Sequence, residues 1–251
     1  MEEQKSATDL ERRYGDTWAP YYDQVHPEVD PAAVDFLVDL VGDRGRAMEL
    51  AVGTGRVAIP LALRGVEITG VDLSGEMLKQ LAAKPDGGLV RAILGDMVEV
   101  PVDGVFPLIF VVFSSIFAIS SQDRQVECFR NVAAHLEPDG HFVLECFVPD
   151  MKRFDKNYRY ESEFGASIDG GVKSEISVHH PQLQTVDSEH IWSYPDGSTR
   201  TLPVSIRYAW PSELDLMAQL ADLVLEDRFE WYDRAPFAAD SGRHVSIYRK
   251  A

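Results

Sequence analysis

A chain of 251 residues, 45% hydrophobic and 26% charged, is long enough to bury a sizeable core. Its 41 acidic residues outnumber 24 basic ones, for a formal net charge of −17. That balance argues against nucleic acid and anionic membranes as partners, since both are bound through clustered Lys and Arg. No apolar run approaches the roughly 20 residues of a membrane span. The polar start Met1-Glu2-Glu3-Gln4-Lys5 lacks the basic and apolar regions of a signal peptide, so a cytoplasmic protein is expected.

In chain order, Asp30-Pro31 reads as a helix N-cap with proline at the first helical position, and Val34, Leu37 and Val41 share one face of that helix. Residues 47–52 form a short apolar run suited to a buried strand, and Gly53-Thr54-Gly55 turns it into a helix bearing Val57, Leu61 and Leu63. Residues 66–71 are the next strand. Ser74 can cap the following helix, with Met77, Leu78 and Leu81 inward. Strands at 89–94 and 108–113 precede a helix from about Ser121, whose Val126, Phe129, Val132, Ala133 and Leu136 form a stripe. Residues 136–140, with Pro138 and Gly140, end that helix before a strand at 141–148. Near-continuous apolar strands separated by helices imply a mostly parallel sheet covered on both faces.

After Pro149 the rhythm changes. Residues 172–178, 184–193 and 201–210 read as strands, the last alternating Val204, Ile206, Tyr208 and Trp210 against Ser205, Arg207 and Ala209. Tyr194-Pro195-Asp196-Gly197 is a turn between two of them. A helix at 211–223, with Leu216, Leu220 and Leu223 at helical spacing, restores the α/β pattern. Strands near 224–231 and 244–248 close the chain as an antiparallel pair. The expectation is a single domain over 1–251: an α/β, doubly wound, seven-stranded mostly parallel sheet. Residues 1–30 act as an N-terminal lid, and an antiparallel β insertion at 150–210 as a cap.

A glycine turn between strand and helix lets the backbone approach a ligand, and the helix N-terminus favours polar or anionic groups. Gly53-Thr54-Gly55-Arg56-Val57-Ala58 fits the degenerate G-x-G-x-x-A pattern, and Asp72 ends the next strand, where a carboxylate can accept bonds from both hydroxyls of an adenosine ribose. On this stretch alone, a nicotinamide dinucleotide and S-adenosylmethionine are both open. Glu49 adds a negative charge that suits the cationic cofactor better.

Glu49-Leu50-Ala51-Val52-Gly53-Thr54-Gly55-Arg56 resembles the first motif of class I S-adenosylmethionine-dependent methyltransferases. Thr69-Gly70-Val71-Asp72-Leu73-Ser74 resembles the second, Leu94-Gly95-Asp96-Met97 the third-strand motif, and residues 136–142 the turn into the fifth strand. The resemblance spans essentially the whole chain, including the closing strand pair. It implies S-adenosylmethionine as cofactor, with Glu49, Gly53 and Gly55 at the methionine part and Asp72 on the ribose. Leu73 and Met77 would lie near the adenine, Asp96 at its amino group and the Met97 backbone at the ring; Ala51 and Phe113 complete the cofactor set. Ala51 stands where the family usually has its first glycine.

The aromatic segment 14–23 would fold over the cofactor, so that Tyr14 and Tyr22, with Phe117 as a wall after the fourth strand, are the candidate catalytic residues. The stretch Phe113-Ser114-Ser115-Ile116-Phe117 is similar to natural-product N- and O-methyltransferases, such as the lincosamide and aminosugar N-methyltransferases. It implies methyl transfer to an amine or hydroxyl of a small molecule, in secondary metabolism or antibiotic biosynthesis. In the aminosugar enzymes a polar residue follows this stretch, where this chain has Ala118 and Ile119. A hydroxyl acceptor would want a general base, for which His179, His180, His190, Glu145 and Asp150 are available. No residue cluster has metal-ligand spacing, and Cys128 and Cys146 read as buried apolar residues. Rival readings are a nicotinamide-dependent oxidoreductase and a non-catalytic S-adenosylmethionine-binding protein. A homo-oligomer is compatible with the sequence.

Overall fold

The computed structural model describes residues 2–166 and 170–251. Met1, at the head of the expected lid, and residues 167–169, inside the expected cap, lie outside the described residues. Two sheets are formed. The larger has β1 (Arg46–Leu50) at its centre, flanked on one side by β2 (Glu67–Asp72) and β3 (Val90–Leu94). On the other side lie β4 (Phe106–Val111), β5 (Leu136–Phe147), and then β11 (Arg243–Lys250) and β10 (Leu223–Phe229) at the edge. β1 to β5 pair in parallel, while β11 runs antiparallel to both β5 and β10.

Burial explains the apolar strands. Met48 and Leu50 of β1, with Ile109 and Val111 of β4, pack against α6 (Gln122–His135) and α7 (Pro211–Gln219) on one face. Ala47, Leu108 and Phe110 meet α3 (Pro31–Val41) and α4 (Ala58–Leu63) on the other. Alternate residues therefore need an apolar side chain whichever way they point. Side-chain caps start the helices where expected: Asp30 accepts from the Ala32 amide before α3, Ser74 from the Met77 amide before α5 (Gly75–Ala83), and Ser121 from the Arg124 amide before α6.

Some local expectations are corrected. α7 ends at Gln219 and buries Leu214, Met217 and Ala218, while Leu216 and Leu220 are 59% and 61% exposed. Leu223 already belongs to β10, so the apparent leucine stripe crossed a turn. Leu63 points outward at the end of α4. Residues 136–140 do not form a separate turn: β5 starts at Leu136, and its pairing with β4 slips between Phe106 and Leu108.

The second sheet is an antiparallel meander of β6 (Arg159–Ala166), β7 (Val172–His180), β8 (Thr185–Ser193) and β9 (Thr199–Arg207). β6 is an addition to the strands expected there. The N-terminal segment is helical, as α1 (Glu2–Trp18) and α2 (Tyr22–Val25). Gly15 lets α1 seat against the core, because a Cβ there would meet the Ser74 Cβ at 2.5 Å. Ser74 Oγ then donates to Asp16 at 2.7 Å, and Trp18 Nε1 donates to the Pro203 carbonyl of β9 at 3.1 Å. The lid thus bridges core and cap. No described helix is long and apolar enough to cross a membrane.

Candidate active site

The chain leaves β1 through a left-handed turn. Ala51, Gly53 and Gly55 all have positive φ, at 57°, 55° and 76°. For alanine this region is strained, and such strain persists only where the surroundings enforce it. The enforcing partner is Asp72, at the end of β2. Its Oδ2 accepts from the Gly53 amide at 2.7 Å and its Oδ1 from the Ser74 amide at 2.8 Å. Burial pushes the Asp72 carboxyl up, and the two amides oppose that shift. Each carboxylate oxygen thus accepts one backbone amide, and Asp72 lines the space in front of the turn.

That space is a cavity of about 730 Å³ at the carboxyl ends of the core strands, roofed by the lid and walled by the cap. Ala51, Gly53, Asp72, Leu73, Met77, Asp96, Met97 and Phe113 line its core side, and Tyr14 and Tyr22 reach it from the lid. Asp96 is held by Arg124 at 2.7 Å and by the Val98 amide. Arg124 also binds Glu11 of α1 at 2.7 Å, and Glu11 accepts from the Ser120 amide and hydroxyl. A lid carboxylate and a core carboxylate therefore share one guanidinium, which stays charged between them.

Three expected residues are elsewhere. Glu49 does not face the main cavity; it lies in a small recess behind the turn, beside Tyr22, Arg56 and Phe113. Burial holds its carboxyl well above the usual carboxylate range, against the opposing pull of Arg56, and Oε2 has no partner among the described residues. Gly55 faces away, backed by Leu81 and Ile59, so it shapes the turn rather than the cavity wall. Phe117 is fully buried and packs edge-on beneath Phe147, which lines the cavity in its place. The cause is local: Phe113 and Ser114 both take positive φ, fixed where Glu145 accepts from the Phe113 amide at 2.6 Å and Ser114 Oγ from the Phe147 amide at 3.0 Å. That kink turns Phe113 to the cavity and Phe117 into the core.

The candidate bases divide in the same way. His179 is buried on the Tyr208 hydroxyl and His180 pairs with Asp187, both away from the cavity. Glu145 and Asp150 line it but are engaged by the Phe113 and Lys152 amides. His190 lines it, and desolvation lowers its pKa. Burial raises Tyr14 and Tyr22, so their hydroxyls stay protonated.

Beside Phe147 and Arg243 of the core sheet, unforeseen cavity residues come from the lid and cap. His26 sits 4.8 Å from Phe113 and 6.2 Å from Trp18, and desolvation brings its pKa down to about 4. Trp18 meets His190 at 5.4 Å. Tyr14, Trp18, Tyr22 and His26 recur every four residues, a helical stripe that was available as a signal. Lys173, Glu175 and Ser188 on the cap strands carried no comparable signal.

An open α/β sheet with its cavity at the strand ends, a glycine turn and a ribose-type carboxylate defines a Rossmann-like nucleotide-binding fold. Comparison resolves the kind. The family described as a methyltransferase domain matches residues 47–140. The structure of the CcbJ methyltransferase from Streptomyces caelestis is 37% identical and superimposes with a TM-score of 0.88, over 96% of this chain and 99% of that one. The chain belongs to the S-adenosylmethionine-dependent methyltransferases. The glycopeptide N-methyltransferase MtfA, complexed with S-adenosylmethionine, shares the fold at 18% identity and a TM-score of 0.60, over 88% of this chain and 93% of that one. The cypemycin N-terminal methyltransferase of a Streptomyces species is 29% identical over 54% of this chain. The chain spans only 57% of that curated relative, and 42% of YqeM of Bacillus subtilis, to which it is 34% identical over 41% of its own length. The nicotinamide alternative falls with this membership.

Proposed function

We propose that the protein transfers a methyl group from S-adenosylmethionine to an amine nitrogen of a small molecule made in secondary metabolism. One observation carries the reading: a single cavity joins the Asp72 turn at one end to an aromatic chamber of lid and cap at the other. The donor set fits the cofactor. Asp72 keeps acceptor positions for two ribose hydroxyls, Leu73 and Met77 offer an apolar edge for the adenine, and Asp96 supplies an acceptor for its amino group. When bound, S-adenosylmethionine supplies an electrophilic methyl group on a sulfonium.

The chain's own residues orient the acceptor and exclude water. Tyr14, Trp18 and Tyr22 close over the chamber, and Phe113, His26 and Phe147 wall it. Orientation alone can contribute about 7–11 kcal/mol to such a displacement. The protonated tyrosines and the engaged Glu145 are poorly suited to deprotonate a hydroxyl. Desolvation keeps His26 and His190 neutral, so neither repels an incoming ammonium, and a free amine needs only to lose its proton before attack. The amine is also the acceptor named for the cypemycin relative.

Incubation with methyl-labelled S-adenosylmethionine and matched amines, alcohols and phenols tests this. Label on amines is expected. Label confined to hydroxyls, or none on any acceptor while the cofactor binds, contradicts it.

A further inference from the structure

Among the described residues, the cap lines the cavity with a lysine that has no carboxylate partner. Lys173 of β7 is half-buried and lines the cavity, and no ion pair joins it to any described carboxylate. Its contacts are ring faces, with Nζ 5.4 Å from the Trp192 centroid and 5.5 Å from that of Phe164. Such faces steady an ammonium without neutralising it. The nearest strand-mate carboxylate, Glu175, is taken by Arg153 at 2.7 Å and by the Ser177 hydroxyl at 2.6 Å. Of the other cavity cations, Arg12 pairs with Asp9 and Asp16, and Arg243, on the core sheet rather than the cap, lies over the Trp231 ring at 3.4 Å.

Position gives this cation a role. Lys173 lines the same cavity as His26 and His190. His26 in turn touches Phe113, at the mouth of the cofactor turn. Across the β7–β8 register, Glu175 sits opposite His190 and Lys173 opposite Trp192. His190 lines the same cavity, and its buried Nδ1 has no hydrogen-bond partner among the described residues. In a chain of net charge −17 an anionic ligand would otherwise be repelled, so a cavity lysine on the cap without a carboxylate partner is a selective feature.

We propose that the acceptor is an amine bearing a carboxylate, with the carboxylate bound by Lys173 and the nitrogen presented at the Phe113 and His26 end of the same chamber. One unpaired ammonium matches one negative charge, which favours a carboxylate over a phosphate dianion. The inference rests on the methyltransferase reading of this cavity, and it names the class of acceptor.

Tryptophan fluorescence titration of a panel of amino acids and their methyl esters, with and without S-adenosylhomocysteine, tests it on the full chain. The free acids are expected to bind at least 10-fold tighter than their esters. Lys173→Met should remove most of that preference and leave ester binding unchanged, while Lys173→Arg retains it. Esters that bind as tightly as acids, no saturable response to any acid, or an unchanged preference in Lys173→Met overturns the proposal. Calorimetric binding of S-adenosylmethionine to the wild-type chain separates the two failures. If the cofactor binds and the acids gain nothing, the acceptor inference alone is wrong; if it does not bind, the reading of the cavity is wrong.

Discussion

The two ends of the cavity are built from different kinds of chain. At the cofactor end, short parallel strands stop at one level, and backbone amides and Asp72 fix the geometry within a turn of a few residues. At the acceptor end, the wall joins lid and cap residues distant in the chain, held by contacts such as Trp18 to Pro203, 185 positions apart. The turn of the first end is built within one strand–helix–strand unit. The second depends on the lid and cap meeting correctly, so substitutions should act differently on the two.

The largest effect is expected where the division meets the core. Phe117→Ala should cost about 3–5 kcal/mol in a denaturant titration by leaving a cavity beneath Phe147. Acceptor affinity of the folded fraction should hardly move; an unchanged stability with weakened acceptor binding would return Phe117 to the pocket wall. Next, Asp72→Asn should weaken S-adenosylmethionine about 100-fold by calorimetry, since it removes a charged acceptor from two ribose hydroxyls. Acceptor binding should change far less. Trp18→Phe deletes the lid-to-cap hydrogen bond, worth about 1 kcal/mol. It should raise the acceptor KM several-fold while leaving the cofactor Kd unaltered, whereas equal changes in both would deny that the ends are separable. Smallest, and of opposite sign, Ala51→Gly should stabilise the fold by about 1 kcal/mol in the same denaturant assay, by relieving its positive φ.

This contrast also decides what could be read from the sequence. Asp30, Ser74 and Ser121 cap helices by bonds two or three residues long, so their roles are visible in the sequence itself. The Gly53 turn and Asp72 are linked over 19 positions, but by a strand–helix–strand unit whose period is regular. Phe117 lies in the core because two consecutive left-handed residues, Phe113 and Ser114, break any periodicity across that stretch. Glu49 has the expected position on β1, on the face opposite Met48 and Leu50, and Arg56 and Tyr22 line the recess it meets there. Lys173 lies in a strand of mixed polarity, and its unpaired state depends on Arg153 capturing Glu175 from a separate segment. No local pattern encodes that.

The most direct test of the divided cavity is a crystal structure with S-adenosylhomocysteine. The account predicts both ribose hydroxyls on the Asp72 carboxylate, the adenine between Met77 and Met97, and the sulfur opening towards Phe113 and His26. A ribose bound away from Asp72, or a sulfur turned from the lid and cap, would contradict it.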